Sequence, residues 1–348
     1  IYLSYVDPTG TVQPAQLVTG TNISEGFPGI ALDPDSGDPF LAWHASISGN
    51  ANLDVVFALD QWHVLQTPYM ISSPYALWAN PGEDEFIWPY VFLGPAPTYE
   101  TDGKRRIYVL GNNATENADG NPAENMRFAY ADFSSPDDLV FLNPDDWTIT
   151  QIPQLDEWRQ NNIRPYTTFN VSMDGSFVIA GYTSDMDDAA PEYAPNDFIF
   201  VIENRNYGEG EWYTHTFDGR LPVENPDDYF DDPLLTDMRY VPLYNAHNNV
   251  IFDDNGNIHM TMYYGLCLGN GESSYYGWGS TAKHVTYEVA DNPADDGNWN
   301  VQCVFPPDLN PDDDQPYLPW DPDGDGEYEY DTEQNLIIDW TWPAWWRP

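Results

Sequence analysis

Short apolar runs separated by polar turns recur along the whole chain. Ile30-Ala-Leu, Phe40-Leu-Ala-Trp43, Arg106-Ile-Tyr-Val-Leu110, Phe177-Val-Ile-Ala-Gly-Tyr182, Phe198-Ile-Phe-Val-Ile202 and His259-Met-Thr-Met-Tyr-Tyr264 are the clearest. Such brief runs, rich in aromatic and β-branched residues, predict strands. Thirty-one prolines and 25 glycines leave little room for helices. The one helix the pattern suggests is short, around Leu155-Asp-Glu-Trp-Arg-Gln160.

Aligning the turns exposes a repeat. Four segments read as strand, Asp/Gly turn, strand, and they start at Pro28, Pro89, Pro165 and His247. Their turns are Asp33-Pro-Asp-Ser-Gly37, Asp102-Gly103, Asp174-Gly175 and Asp253-Asp-Asn-Gly256. A second pair of strands follows each. Leu53–Phe57 goes with His63–Leu65, and Met126–Tyr130 with Trp147–Thr150. Phe198–Ile202 goes with Trp212–Thr216, and His284–Val289 with Trp299–Cys303. Four strands per repeat is the make-up of a propeller blade. The predicted fold is therefore all-β, a β-propeller of about five four-stranded blades with long loop insertions. A pair of β-sandwiches is the alternative. The expected domain covers residues 1–310, with a partial blade near 1–20 and blades near 27–75, 86–153, 163–218 and 245–306. Residues 311–348 form an acidic, Trp-rich segment expected to close a blade or dock a partner.

The turns resemble degenerate Asp-box turns of sialidase-type propellers. Ser172-Met-Asp174-Gly175-Ser-Phe177 comes nearest, with its glycine one place early. Glu85-Phe-Ile-Trp-Pro89 and Asn206-Tyr-Gly-Glu-Gly-Glu-Trp212 resemble segments of large secreted bacterial propeller proteins. The resemblance implies a propeller fold and secretion, and it brings no activity with it. Sialidase chemistry would need three arginines around a carboxylate, and only Arg164, just ahead of a first strand, stands in a suitable place.

Charge narrows the partners. Fifty-seven acidic against 11 basic residues give a net charge of −46 over 348 residues. Such a surface repels phosphate backbones and anionic headgroups and attracts cations, which speaks against nucleic acid. With 41% hydrophobic and 16% aromatic residues, the chain is nevertheless built to fold around a core. No apolar run is long enough to span a membrane, so membrane insertion is not expected.

The sharpest chemical motif is Asp321-Pro-Asp323-Gly-Asp325-Gly-Glu327-Tyr-Glu-Tyr-Asp331. Carboxylates at alternate positions followed by glycine can wrap a hard cation, so Asp321, Asp323, Asp325, Glu327 and Asp331 are the expected ligands of a structural Ca2+. A solvated acidic turn is the alternative. Cys267 and Cys303 are either a disulfide or two free thiols. The sequons at Asn22, Asn113 and Asn170 permit glycosylation. Trp340, Trp342, Trp345 and Trp346 crowd the end of the sequence and would pack on the propeller, make an assembly contact, or stack on sugar rings. His44 and His247 flank inner strands and could face a central channel, whereas His63, His215, His259 and His284 look scattered. No catalytic signature stands out, and with so many carboxylates a suitably spaced pair would mean little.

The leading functional expectation is an extracellular structural or adhesive module, joining copies of itself or another extracellular protein through strand donation and cation bridging. The alternatives are a secreted glycoside-hydrolase-type propeller enzyme and a monomeric sugar-binding propeller, with polysaccharide as the partner. The balance of these readings is against an enzyme.

Overall fold

The repeated turns close hairpins by one recurring set of hydrogen bonds. A computed structural model of the chain describes residues 1–7, 9–19, 24–46, 53–60, 70–77, 86–116, 122–140, 146–155, 166–183, 198–222, 238–242, 248–268 and 276–303. In the turn at Asp253, its Oδ1 accepts the amides of Asn255 and Asn257, both at 2.8 Å, and Gly256 N–H donates to Asp253 O at 3.0 Å. The turn at Asp7 repeats this with Thr9, Thr11 and Gly10. At Ser172 a hydroxyl stands in the place of the carboxylate, and Gly175 N–H donates to Ser172 O. The glycines adopt φ of 81°, 83° and 84°, where a Cβ would be strained. The expected Asp102-Gly103 turn is instead one turn of helix, ended by Gly103 at φ 70°.

Strands follow in chain order. β1 (Tyr2–Leu3) and β2 (Gln16–Leu17) form a two-stranded ribbon. The first four-stranded sheet is β3 (Glu25–Leu32), β4 (Pro39–Ala45), β5 (Asp54–Leu59) and β6 (Tyr75–Ala76). The second is β7 (Ile87–Pro95), β8 (Arg105–Glu116), β9 (Pro122–Phe133) and β10 (Thr148–Gln151), with short helices α1 (Tyr99–Asp102) and α2 (Pro136–Val140) in its connections. The third is β11 (Tyr166–Val171), β12 (Phe177–Thr183), β13 (Phe198–Asn204) and β14 (Tyr213–Asp218). The last contains β15 (Leu221–Pro222), β16 (Met238–Pro242), β17 (Asn249–Phe252), β18 (Ile258–Leu268), β19 (Tyr276–Glu288) and β20 (Asn298–Cys303). Here β16 and β17 lie end to end along one edge of β18, Pro242 opposite Tyr264 and Asn249 opposite Thr261.

Each four-stranded sheet is a meander of consecutive strands, not the strand exchange between two sheets that a sandwich uses. The fold is all-β and of the β-propeller class. Of the expected helix, Pro153, Gln154 and Leu155 are helical and the rest lies outside the described residues.

Residues 1–179 and 202–214 make up one compact unit, and residues 180–201 and 215–348 the other. Within the first, the strand period of two sorts the core. Ile107 and Val109 of β8 face Phe40, Phe57 and Leu59 of the first sheet, together with Phe133 and Trp147. Tyr108, between them, faces Phe177 of the third sheet at 5.3 Å between ring centroids. Phe177 also meets Phe169 at 5.1 Å and Trp212 at 5.3 Å, a run of rings filling the space there. The ribbon packs Leu3 and Val18 on Leu41, Trp43 and Val56.

The same alternation places two charges. Arg105 points with Ile107 toward the first sheet, where its Nη2 donates to Asp33 Oδ2 and its Nη1 to Asp35 Oδ2, both at 2.9 Å. Arg106 points with Tyr108 toward the third. Its Nε and Nη2 grip Asp132 at 2.5 and 2.9 Å, and Nη1 reaches Glu209 Oε1 at 2.6 Å and the Tyr207 carbonyl at 3.1 Å. The loop that receives Arg106 is organised by Asn204. Its Oδ1 accepts the amides of Asn206 and Gly208, and its Nδ2 donates to the carbonyls of Glu209 and Glu211.

Candidate functional site

At the opposite end of the same sheets, β3 and β7 begin alike, with Gly26-Phe27-Pro28-Gly29 and Ile87-Trp88-Pro89-Tyr90. In each, the pairing register slips, between Gly26 and Gly29 and between Ile87 and Tyr90. A bulge re-aims the side chains it contains. Phe27 and Trp88 take φ of 49° and 50°, the left-handed region that bulky residues avoid, and each precedes a proline. Such a conformation costs about 1–3 kcal/mol per residue and persists where its surroundings impose it, often at functional positions.

The two rings meet. Phe27 lies 5.9 Å from Trp88 and 5.3 Å from the His44 ring, at interplanar angles of 58° and 55°. Phe27 is 64% exposed, Trp88 is half-buried and His44 is buried. His44 Nδ1 accepts the Trp88 backbone N–H at 3.2 Å. Burial pushes the His44 imidazole below its ordinary proton affinity. Gly26 makes room for it, because a Cβ there would stand 2.9 Å from Nε2. The result is a two-ring aromatic platform open to solvent, with a neutral imidazole behind it.

A second cluster lies in the other unit. His259 and His284, diagonal neighbours across β18 and β19, stack at 5.2 Å and 11°, with Nδ1 of the first 3.0 Å from Nε2 of the second. His259 Nε2 is 3.3 Å from Asp253 Oδ2. Both nitrogens of His259 are thus engaged, each with a different neighbour. Desolvation and then His259 hold His284 low, whereas hydrogen bonds led by Asn257 hold Asp253 well below the usual carboxylate range. The histidines that look scattered in the sequence are brought together by strand register. His215, also not isolated, is buried against Tyr287 and 3.1 Å from Asp296.

Other sequence-derived candidates fall elsewhere. Asp321, Asp323, Asp325, Glu327, Asp331, Trp340, Trp342, Trp345, Trp346, Asn22, His63, His247 and Arg164 lie outside the described residues. Asn113 sits in β8 opposite Asn125, and Asn170 is half-buried in β11. Cys267 in β18 and Cys303 in β20 flank β19 on opposite sides. Cys303 is level with Lys283 and so with Met262, five positions along β18 from Cys267. A disulfide needs Cα atoms within about 7 Å, and this register does not bring the two cysteines together. Among the described residues there is no group of three or more side chains placed to hold a metal, and no helix long and apolar enough to cross a membrane.

The platform was not foreseen in the sequence. Its signal was the aromatic residue ahead of the proline that opens two of the repeats, which only the left-handed backbone turns into an exposed pair.

No protein-family model matches the chain, and no curated protein matches it. Solved structures are similar at low identity. A Hadza microbial sialidase is 11% identical, with a TM-score of 0.38, over 80% of this chain and 46% of its own. A GH43 β-1,3-galactosidase is 12% identical, with a TM-score of 0.36, over 97% of each chain. An α-L-arabinanase of Penicillium chrysogenum is 13% identical, with a TM-score of 0.39, over 80% of this chain and 66% of its own. The chain spans about half the length of the microbial sialidase. Superpositions this loose equate no residue of this chain with a residue of theirs.

Proposed function

We propose that the protein binds carbohydrate at the loop end of its first two four-stranded sheets, stacking sugar rings on Phe27 and Trp88. The observation that carries this is the exposed Phe27 ring beside Trp88, each held at positive φ. The contacts described for the two rings do not require that both be held in a strained backbone while one of them stands in water. Aromatic faces stack on the apolar faces of sugars. The net charge of −46 repels uronic and sialic acids, so the expected partners are neutral polysaccharides.

The test is calorimetry on soluble β-glucan, xylan and arabinan with the full chain and with Phe27→Ala. Binding that weakens about tenfold in the variant, worth about 1.4 kcal/mol, supports the platform. Silence on the whole panel, or binding indifferent to Phe27, overturns it.

A second reading, self-association in an extracellular setting, is favoured by the β1–β2 ribbon. It is two-stranded among the described residues, and it exposes Tyr2, Val6 and Val12 by 69%, 64% and 66%. Such edges recruit further strands. Calcium held by Asp321, Asp323, Asp325, Glu327 and Asp331 would bridge acidic faces in that assembly. Light scattering with calcium and then with a chelator tests it. Particles that disperse on chelation support the reading, and a monomer indifferent to calcium ends it.

A further inference from the structure

We infer that His44 is a positioning residue for the aromatic platform, a latch that holds the Trp88 backbone while neutral and releases it when protonated. Its consequence for binding rests on the carbohydrate reading above. The latch itself stands on geometry alone.

Trp88 N–H is a donor, so the Nδ1 that meets it at 3.2 Å presents a lone pair. The tautomer follows: the neutral ring carries its proton on Nε2. A second proton would have to go on Nδ1, setting N–H against N–H. The β7–β8 register skips Trp88, whose amide turns to His44 instead of to the ladder. Without that bond, a bulky residue ahead of proline has reason to leave φ 50° for the extended region. Trp88 would then turn away from Phe27.

Among the described residues, those that face His44 offer nothing that would stabilise its charge. Gly26 and Phe27 face it from β3, Val55 from β5 and Trp88 from β7, and none of these titrates. Glu25 and Asp54 both pair with Ala45, the next residue, so they belong to the opposite face of the sheet. Burial alone displaces the ring, and it does so downward. The latch is therefore closed at neutral pH and opens below the ordinary histidine range.

The experiment uses the full chain and two variants. His44→Asn keeps a neutral acceptor near the Nδ1 position and cannot titrate, whereas His44→Leu has no acceptor. Histidine ring nitrogen and Trp88 amide resonances are followed from pH 7.5 to 4.5, alongside binding to β-glucan, xylan and arabinan. In the wild type, the Trp88 amide should move with the titration of His44, and affinity should fall about tenfold or more. His44→Asn should bind at both ends of the range without that loss, and His44→Leu should bind weakly throughout. A Trp88 amide that ignores the His44 titration, or a His44→Asn protein as pH-sensitive as the wild type, overturns the latch. A Trp88 amide that follows His44 while no polysaccharide binds at any pH leaves the latch standing and removes the carbohydrate reading.

Discussion

At the turn end of the second sheet, Arg105 and Arg106 reach in opposite directions into the first and third sheets, each meeting two carboxylates. At the loop end of the same sheets, Phe27 and Trp88 sit in a disfavoured backbone conformation around a buried histidine. The turn end is densely hydrogen-bonded: Asn204 alone engages two amides and two carbonyls. The loop end leaves a large ring in water. Tyr207 at the turn end also takes a positive φ, 57°, but there it is tied to Arg106, and a large ring exposed at one end of a framework whose other end is tied down is what a binding face on a rigid support should look like. A chain with only 11 basic residues spends two adjacent ones on the ties, which underlines where rigidity matters.

If the turn end is structural, Arg106→Met should have the largest effect. Arg106 is almost wholly buried while Asp132 and Glu209 are partly exposed, so a loss of about 3 kcal/mol is expected, at the low end for broken buried pairs. Urea unfolding measures it, and Arg106→Lys should not restore it, because an ammonium cannot grip Asp132 with two parallel bonds. Next is Gly175→Ala. A Cβ at Gly175, at φ 84°, would run into the Tyr207 ring that lies on it. Unfolding should show a cost of about 2 kcal/mol, with sugar binding unchanged.

If the loop end carries function at the expense of stability, Phe27→Gly should break the pattern by its sign. Glycine relieves the left-handed strain and the exposed ring gives up little burial. Stability should rise by about 1 kcal/mol while polysaccharide binding is lost. A destabilised Phe27→Gly protein would mean that the ring is packing and not a platform. The smallest effect is on pH. His44 and His284 are held below the ordinary 6.5 by burial. In the unfolded chain they take up protons near that value, so the unfolded state binds more protons just below it. Stability is full above that value and falls as pH drops toward the lowered ones, by under about 1 kcal/mol given the partial exposure of His284. Urea midpoints at pH 7.5 and 5.5 should show the drop, and a His44→Asn, His284→Gln double variant should lose most of it.

The strands were legible because their residues state them locally. Phe177–Tyr182 and Phe198–Ile202 are apolar runs bounded by turns, and both are strands in the third sheet. The turns were legible too, since Asp or Ser followed three places on by glycine is a chemical instruction within five residues. What depends on register across strands was not. His259 and His284 are 25 residues apart and meet only because Thr261 pairs with His284. Arg105 and Arg106 are adjacent in the sequence, and only the pleat sends them to different sheets. Nothing in Phe27 or Trp88 announces a positive φ, because aromatic residues ahead of proline ordinarily extend. The Asp102-Gly103 signal failed for a smaller reason: its glycine does take the left-handed turn, but as the cap of a helical turn.

The pair of arginines also bears on the order of events in folding. Arg105 closes a loop of 70 residues to Asp35, and Arg106 one of 103 residues to Glu209. Contacts that distant in sequence gain nothing until the strands between them are in place, so they belong late on the path, after the transition state. Interactions formed that late slow unfolding and scarcely speed folding. The two residues that look like fasteners in the finished molecule are therefore best understood as determinants of its lifetime.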